Sequence, residues 1–323
     1  MKRKRVAVTF RSSFQVASAA SSGFPDASNT GVRSGVSLTT VNGNQFVTTS
    51  GTAGNPFIVS GLKVVGGNIV VQANNVVVED CEVDGSGTGG SCVGQDSDYP
   101  SPGTYSNLTV RFCKLYARGG PAGANDPYNQ SSPGGSGPNA TYYCNNGAWG
   151  GNGIEVHHCN IFGIENAFNN GDGYFHDNYV HDFAYWNWGA DGTHNDGVQT
   201  FGWAGLGGLR IIHNTILAEC TMGQGTPAIP IVGSSCVALI TDQHDVTISN
   251  NLFSWGTATL YGNAQNGTGS SVNTVITNNR FSNKHGIGAP WSGFKQSDSG
   301  FVWSGNVVHE TGAVVDGPTS WPN

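Results

Sequence analysis

Apolar residues in this chain recur in short alternating pairs, not at helical spacing. The unit is apolar-x-apolar-x-x-(Cys or Asn)-x-apolar, and it returns eight times. Val76 and Val78 lead to Cys81 and Val83, Leu108 and Val110 to Cys113 and Leu115, and Ile154 and Val156 to Cys159 and Ile161. Asn then takes the same slot: Asn178 follows Phe175, Asn214 follows Ile211, Asn251 follows Ile248, Asn279 follows Ile276, and Asn306 follows Trp303.

A period of two marks strands with one inward face, and the residue after the slot starts the next side of a coil. Successive slots lie 32, 46, 19, 36, 37, 28 and 27 residues apart. A helical solenoid keeps a tighter period, whereas a β-helix holds its rung while loops of any length leave the corners. The pattern predicts an all-β chain: a right-handed, single-stranded parallel β-helix with a Cys/Asn ladder and long corner loops. Asn side chains at one corner of consecutive rungs lie about 4.8 Å apart and can bond to each other and to turn backbone. Asn178, Asn214, Asn251, Asn279 and Asn306 therefore read as a structural ladder, and Cys81, Cys113 and Cys159 as a buried stack. A second strand column is expected around Ala167, Val198, Ala258 and Ile287.

Four segments follow from this. Residues 1–22 belong to no rung and form an N-terminal extension, an attachment segment in one reading. Residues 23–75 are expected to build a cap and the first rungs, 76–310 the β-helix, and 311–323 a C-terminal tail. The stretch from Ala117 to Trp149 is rich in Gly, Pro, Ser and Asn and reads as a surface excursion.

Composition agrees with short strands joined by turns: 49 residues are Gly and only 11% are Asp, Glu, Lys or Arg. The net charge is −7, but Lys2, Arg3, Lys4 and Arg5 are basic, so residues 6–323 hold 10 basic against 21 acidic residues, or −11. That balance argues against a nucleic-acid partner. No segment approaches a transmembrane span. The basic start followed by Val6–Phe10 suggests a secretion leader, but Arg11, Ser12 and Ser13 interrupt the apolar run. Seven cysteines contain no CxxC pair, which excludes ordinary zinc-finger spacing. Cys92 with Cys144, and Cys220 with Cys236, are open either to disulfide pairing or to service as buried thiols.

The densest polar and aromatic stretch runs from His176 to Trp203. Sugar recognition needs flat apolar faces beside carboxylates, amides or imidazoles, and Trp186, Trp188, Trp203 and Gln199 supply that mixture. Gly197 is expected to bend a strand start and aim Asp196 outward while Val198 points in. Asp196 and His194, with Asp191 or Asp182 as the second carboxyl, are the catalytic candidates for glycoside hydrolysis. The ladder alignment places His157 and His176 at equivalent outward positions of adjacent rungs, with His158, Asp177 and His213 one position along. Such a row suits sugar contact, proton sharing or a divalent metal, or it simply decorates the rungs; no metal ligand set is assigned from sequence. The cluster Glu79, Asp80, Glu82 and Asp84 is a candidate for calcium, with no Lys or Arg arrangement identifying the base of a lyase. No other cofactor is expected.

Gly23-Phe24-Pro25-Asp26-Ala27-Ser28-Asn29-Thr30-Gly31-Val32, the Gly61–Val64 region and His194-Asn195-Asp196-Gly197-Val198-Gln199 resemble right-handed β-helix proteins of actinobacteria and their phages, over roughly residues 23–310. That family includes phage minor tail components and proteins of unknown function. Pectate lyases and polygalacturonases are similar in fold only, since the paired-Asp, Gly-His-Gly and Arg-Ile-Lys motifs of polygalacturonases are absent. The resemblance implies a virion-tail protein that recognises, and in one form cleaves, a host cell-envelope polysaccharide. The alternatives are a secreted lyase or hydrolase and a non-catalytic adhesin. Partner tail proteins and a homotrimer built on exposed β-helix faces are further expectations.

Overall fold

A computed structural model describes residues 23–95, 105–117, 143–185, 193–200, 207–223, 235–240, 243–262, 272–283 and 289–318. Asp191, Trp186, Trp188 and Trp203 lie outside the described residues, as do Ile287 and the extension 1–22. Among the described residues there is no helix, and so none long and apolar enough to cross a membrane. The chain is a right-handed parallel β-helix with three long sheets. The first sheet holds the strands that precede each slot, nine of them from Phe57–Ser60 to Val302–Ser304. The second holds the ten that follow the slots, from Thr39–Asn42 to Val307–Val308. The third holds nine, among them Ser91–Gln95, Asn146–Trp149, Asn166–Asn169, Asp196–Gln199 and Ser235–Ala238.

Every rung turns the same corner between the first and second sheets. The residue before the slot is left-handed at each: Gly61, Asp80, Phe112, His158, Asp177, His213, Asn250, Asn278 and Gly305, with φ between 51° and 70°. Such a conformation is cheap for Gly, Asn and Asp and costly for Phe112. Phe112 is held by company, since the Arg33 guanidinium lies 4.6 Å from its ring centre and the His158 ring 4.9 Å away. The slot residue then turns inward. Asn214 Oδ1 accepts from both the amide (3.0 Å) and Nδ2 (3.0 Å) of Asn178, and Asn251, Asn279 and Asn306 repeat the arrangement upward at 2.9–3.0 Å. Each Nδ2 also donates to a carbonyl one rung below, as Asn178 does to Val156 O (2.9 Å). Cys113 and Cys159 point their thiols at the corresponding carbonyls, Val78 O and Val110 O, at 3.6 Å. Cys and Asn thus perform one task with different donors, and the ladder predicted from the slots is present.

Around this corner the inward columns close a continuous core that includes Val78, Val110, Val156, Phe175, Ile211, Ile248 and Ile276 from the first sheet. The second sheet adds Val83, Leu115, Ile161, Val180, Ile216, Phe253 and Phe281. Full burial of such side chains contributes about 1.5–3 kcal/mol each.

Residues 23–38 run lengthwise outside the coil, Phe24 stacking on His213 (5.8 Å), Gly31 N donating to His158 O (2.8 Å) and Arg33 pairing with Asp80. The first rung begins only at Thr39, because before it no apolar alternation exists to pair with Leu62–Val65. Tyr143–Trp149 is not surface excursion: Asn146–Trp149 is a buried third-sheet strand that its Asn-Gly-Ala-Trp sequence, without apolar alternation, conceals. In the third sheet, Val198 pairs with Phe168, and Ala167 faces Gly197, so the expected column was out of register. Among the acidic residues of this region, Glu79 pairs with Arg111 (2.7 Å), Asp80 with Arg33, and Glu82 with Lys63 (2.9 Å). Cys92 and Cys144 do not form a disulfide: their Sγ atoms stand 3.7 Å apart, beyond bonding length.

The ladder predicts a sharp asymmetry between inward and outward substitutions. Asn214→Ala removes the acceptor of Asn178 and leaves buried donors unmet, at a cost of about 2 kcal/mol or more. Urea unfolding followed by circular dichroism is expected to show that loss, while Ser249→Ala, on the outer face beside it, stays within about 0.5 kcal/mol.

Candidate functional site

Parallel pairing without slippage brings residues far apart in sequence into columns on the outer face of the first sheet. Strand Glu155–His157 pairs with Tyr174–His176, so Glu155 stands beside Tyr174 and His157 beside His176. The next strand adds Arg210 beside Tyr174, and the previous one adds Arg111 beside His157. Alternation sends Val156, Phe175 and Ile211 into the core and leaves these polar and aromatic side chains on the outside.

The side chains are linked. His176 Nε2 meets Glu155 Oε1 at 3.1 Å, and His176 Nδ1 meets Asp177 Oδ2 at 2.6 Å. The other oxygen of Asp177 meets His213 Nδ1 at 2.5 Å. A relay Glu155–His176–Asp177–His213 therefore crosses three rungs. The His157 ring lies parallel to that of His176, 4.8 Å between centres, and its Nδ1 faces His158 Nδ1 at 2.9 Å. The predicted row of His157, His176, His158, Asp177 and His213 is thus brought together. Sequence reasoning missed Glu155, Tyr174, Arg111 and Arg210, although Glu155 stands two residues before His157 and so shares its face.

Environment separates the protonation of these groups. Burial, helped by the charge of His176, holds His157 down at about 3, and burial also lowers His158. Burial alone would lower His176 as well, but the hydrogen bonds of Asp177 and Glu155 outweigh it and raise it. Burial would raise Asp177, yet its bonds from His176 and His213 hold it at about 2. The hydrogen bond from His176 likewise keeps Glu155 low. His176 thus lies between two carboxylates that favour its charged form, with the His157 ring, whose charged form is disfavoured, stacked against it.

Asp196 occupies a different setting. It begins the third-sheet strand Asp196–Gln199, in register with Asn166 below and Ser235 above. A Cβ on Gly197 would stand 2.5 Å from Ile216 Cγ2, so position 197 faces the core and its neighbour Asp196 turns from it. Asp196 nonetheless is 1% exposed. Its Oδ2 accepts from Gln199 Nε2 (3.0 Å), and Ser235 on the next rung also favours its charged form. Burial first, then the charge of Glu165, raise Asp196 well above the usual carboxylate range. Glu165 is itself pushed up to about 7 by burial, against the bonds of Tyr143 and the His194 amide. The carboxyl that couples to Asp196 is Glu165, which no motif marks. Asp182 lies elsewhere, closing on His181 Nδ1 at 2.5 Å after strand Tyr179–His181. His194 meets Glu165 through its backbone amide.

Aromatic rings on the second sheet also form a column. Tyr116, Phe162 and His181 stack rung on rung at 5.2 Å, with Lys114 4.9 Å from the Tyr116 ring centre. Their faces are taken up by one another, so they offer edges. In comparison with known proteins, no family model and no curated protein matches the chain.

The linked titrations predict an acid-sensitive fold. His157 takes up a proton near 6.5 when unfolded but only near 3 when folded, so its contribution is present above about 6.5 and lost as pH falls toward 3. Asp177 adds loss in the same direction between about 4 and 2. His176 opposes them, stabilising below about 6.5 and losing its contribution as pH rises through its raised folded value. Melting temperatures at pH 7.5 and 4.5 are expected to differ less in His157→Gln than in the wild type. An unchanged difference would show that the stacked pair does not control the acid response.

Proposed function

We propose that this chain is a glycan-recognition protein that holds an extended polysaccharide along the outer face of the first sheet. The observation that carries the reading is the part-exposed array of Arg111, Glu155, His157, Tyr174, His176 and Arg210, six polar or aromatic side chains fixed on four consecutive rungs. A repeating polymer is matched by a surface that itself repeats, about every 4.8 Å. Tyr174 is covered by Arg210 at 3.9 Å and by His176 at 3.9 Å, so the face grips through ring edges, imidazoles and guanidinium groups. The exposed Arg210 suits a polymer bearing carboxylate or phosphate groups. The setting follows the sequence resemblance: a minor tail or tailspike-like component meeting a cell envelope, with a secreted protein as the alternative.

Cleavage is a second reading, favoured by one observation: Glu165 and Asp196 interact electrostatically on neighbouring rungs, and both carboxyls are raised. Carboxyl groups held protonated near neutrality are proton donors, and glycoside hydrolysis requires two flanking the bond. For this pair to act, the third-sheet strip must open to the polymer.

The test is full-length protein against a panel of actinobacterial envelope polysaccharides, scored for bound glycan, new reducing ends and unsaturated products. Arg210→Ala and His176→Gln are expected to weaken binding about tenfold each, as loss of a charged hydrogen bond does, with the near-ultraviolet spectrum unchanged. Binding indifferent to both substitutions moves the contact off this face, and no binding across the panel sinks the glycan reading. New ends that vanish in Asp196→Asn or Glu165→Gln establish cleavage at the buried pair.

A further inference from the structure

The same cluster presents a donor set suited to a metal ion as well as to the contacts described above. Glu155, His157 and His176 each offer a ligand atom, and these atoms all lie within 4.8 Å of one another. Two imidazoles and one carboxylate form the ligand set of first-row divalent metals, with zinc sites of this composition leaving a position open to water or a ligand. We propose that Glu155, His157 and His176 form a binding site for a zinc-class divalent cation on the outer face of the solenoid. The inference stands apart from the glycan reading and does not depend on it.

Geometry supports it at three levels. Bonds of about 2.1 Å at a tetrahedral angle place neighbouring donors about 3.4 Å apart, and His176 Nε2 and Glu155 Oε1 already stand 3.1 Å apart. The metal would displace only the shared proton between them. His157 directs Nδ1 at His158, which leaves Nε2 as its ligand atom. Behind His176, Asp177 Oδ2 holds Nδ1 at 2.6 Å, the carboxylate–histidine support that orients imidazole ligands in metal sites. Asp177 is fixed in turn by His213, 2.5 Å from its other oxygen. All three ligands sit on two adjacent strands of one sheet, a rigid base, and all three are part-exposed, so a cation enters from solvent.

Calcium fits this site less well, because two of the three donors are nitrogen and calcium takes oxygen. Of the acidic residues considered for calcium from sequence, Asp80, Glu79 and Glu82 pair with Arg33, Arg111 and Lys63.

The experiment uses full-length protein without a histidine tag, freed of metal by a chelator and titrated with Zn²⁺ by calorimetry, with Co²⁺ as the spectroscopic probe. One equivalent is expected to bind, and Co²⁺ is expected to show the intense visible absorption of low coordination. His157→Gln and Glu155→Gln should each lower affinity at least tenfold. Asp177→Asn, a positioning change, should lower it about 10–100-fold, with the Co²⁺ band shifted. Each variant is compared metal-free by circular dichroism, so a folding defect is separated from a binding defect; His244→Gln, outside the cluster, should bind as the wild type does. Absence of stoichiometric binding by the folded wild type overturns the proposal. So does equal binding by the His157→Gln/Glu155→Gln double variant, which would assign the cation to other surface histidines.

Discussion

The structure depends on satisfying the backbone and side-chain polar groups at one buried corner. At each rung the chain must reverse from the first sheet to the second, and it does so through a left-handed residue followed, from Cys81 to Asn306, by an inward Cys or Asn. An unsatisfied amide there would cost more than several core methyl groups return. Asn meets the demand twice over, accepting two bonds from the rung below while donating to a carbonyl. Repetition then does the rest, because the bond from Asn178 to Asn214 is possible only when the two rungs are in register. Register in turn sets every outward column.

The histidine row is a consequence of that register and is also built into the corner. Asp177 is both the left-handed residue of its rung and the carboxylate shared by His176 and His213. His158 and His213 hold the same backbone position on the rungs to either side of it. The strap of residues 23–38 crosses this edge, with Phe24 on His213 and Gly31 on His158, so the N-terminal segment, the turn and the cluster are one packed unit. A change in the charge of the cluster is therefore felt by the fold.

The two acidic settings show how environment divides similar groups. Glu155 and Asp177 lie part-exposed with hydrogen bonds from the His176 imidazole, which help to hold both low. Glu165 and Asp196 are buried among amides, hydroxyls and each other, which holds both high. The first arrangement favours fixed charge at a surface, suited to binding polar ligands; the second stores protons inside. One fold supports both because its three sheets turn their outer faces in different directions.

What the sequence by itself determined was the repeat: Cys81 through Asn306 mark one corner because burial and hydrogen bonding demand the same residue type at every rung, and that demand survives loops of any length. From the ladder alignment the neighbouring positions of His157 and His176 were also legible, since a fixed offset from the slot is a fixed place on the face. Tertiary structure alone decided the rest. Glu165 reaches Asp196, and Arg33 reaches Asp80 and Phe112, across separations that carry no periodic signal. The burial of Asp196 and of Asn146–Trp149 was invisible for the same reason: alternation tells which way a side chain points from the coil, and only the packing of other segments decides whether that outside is solvent.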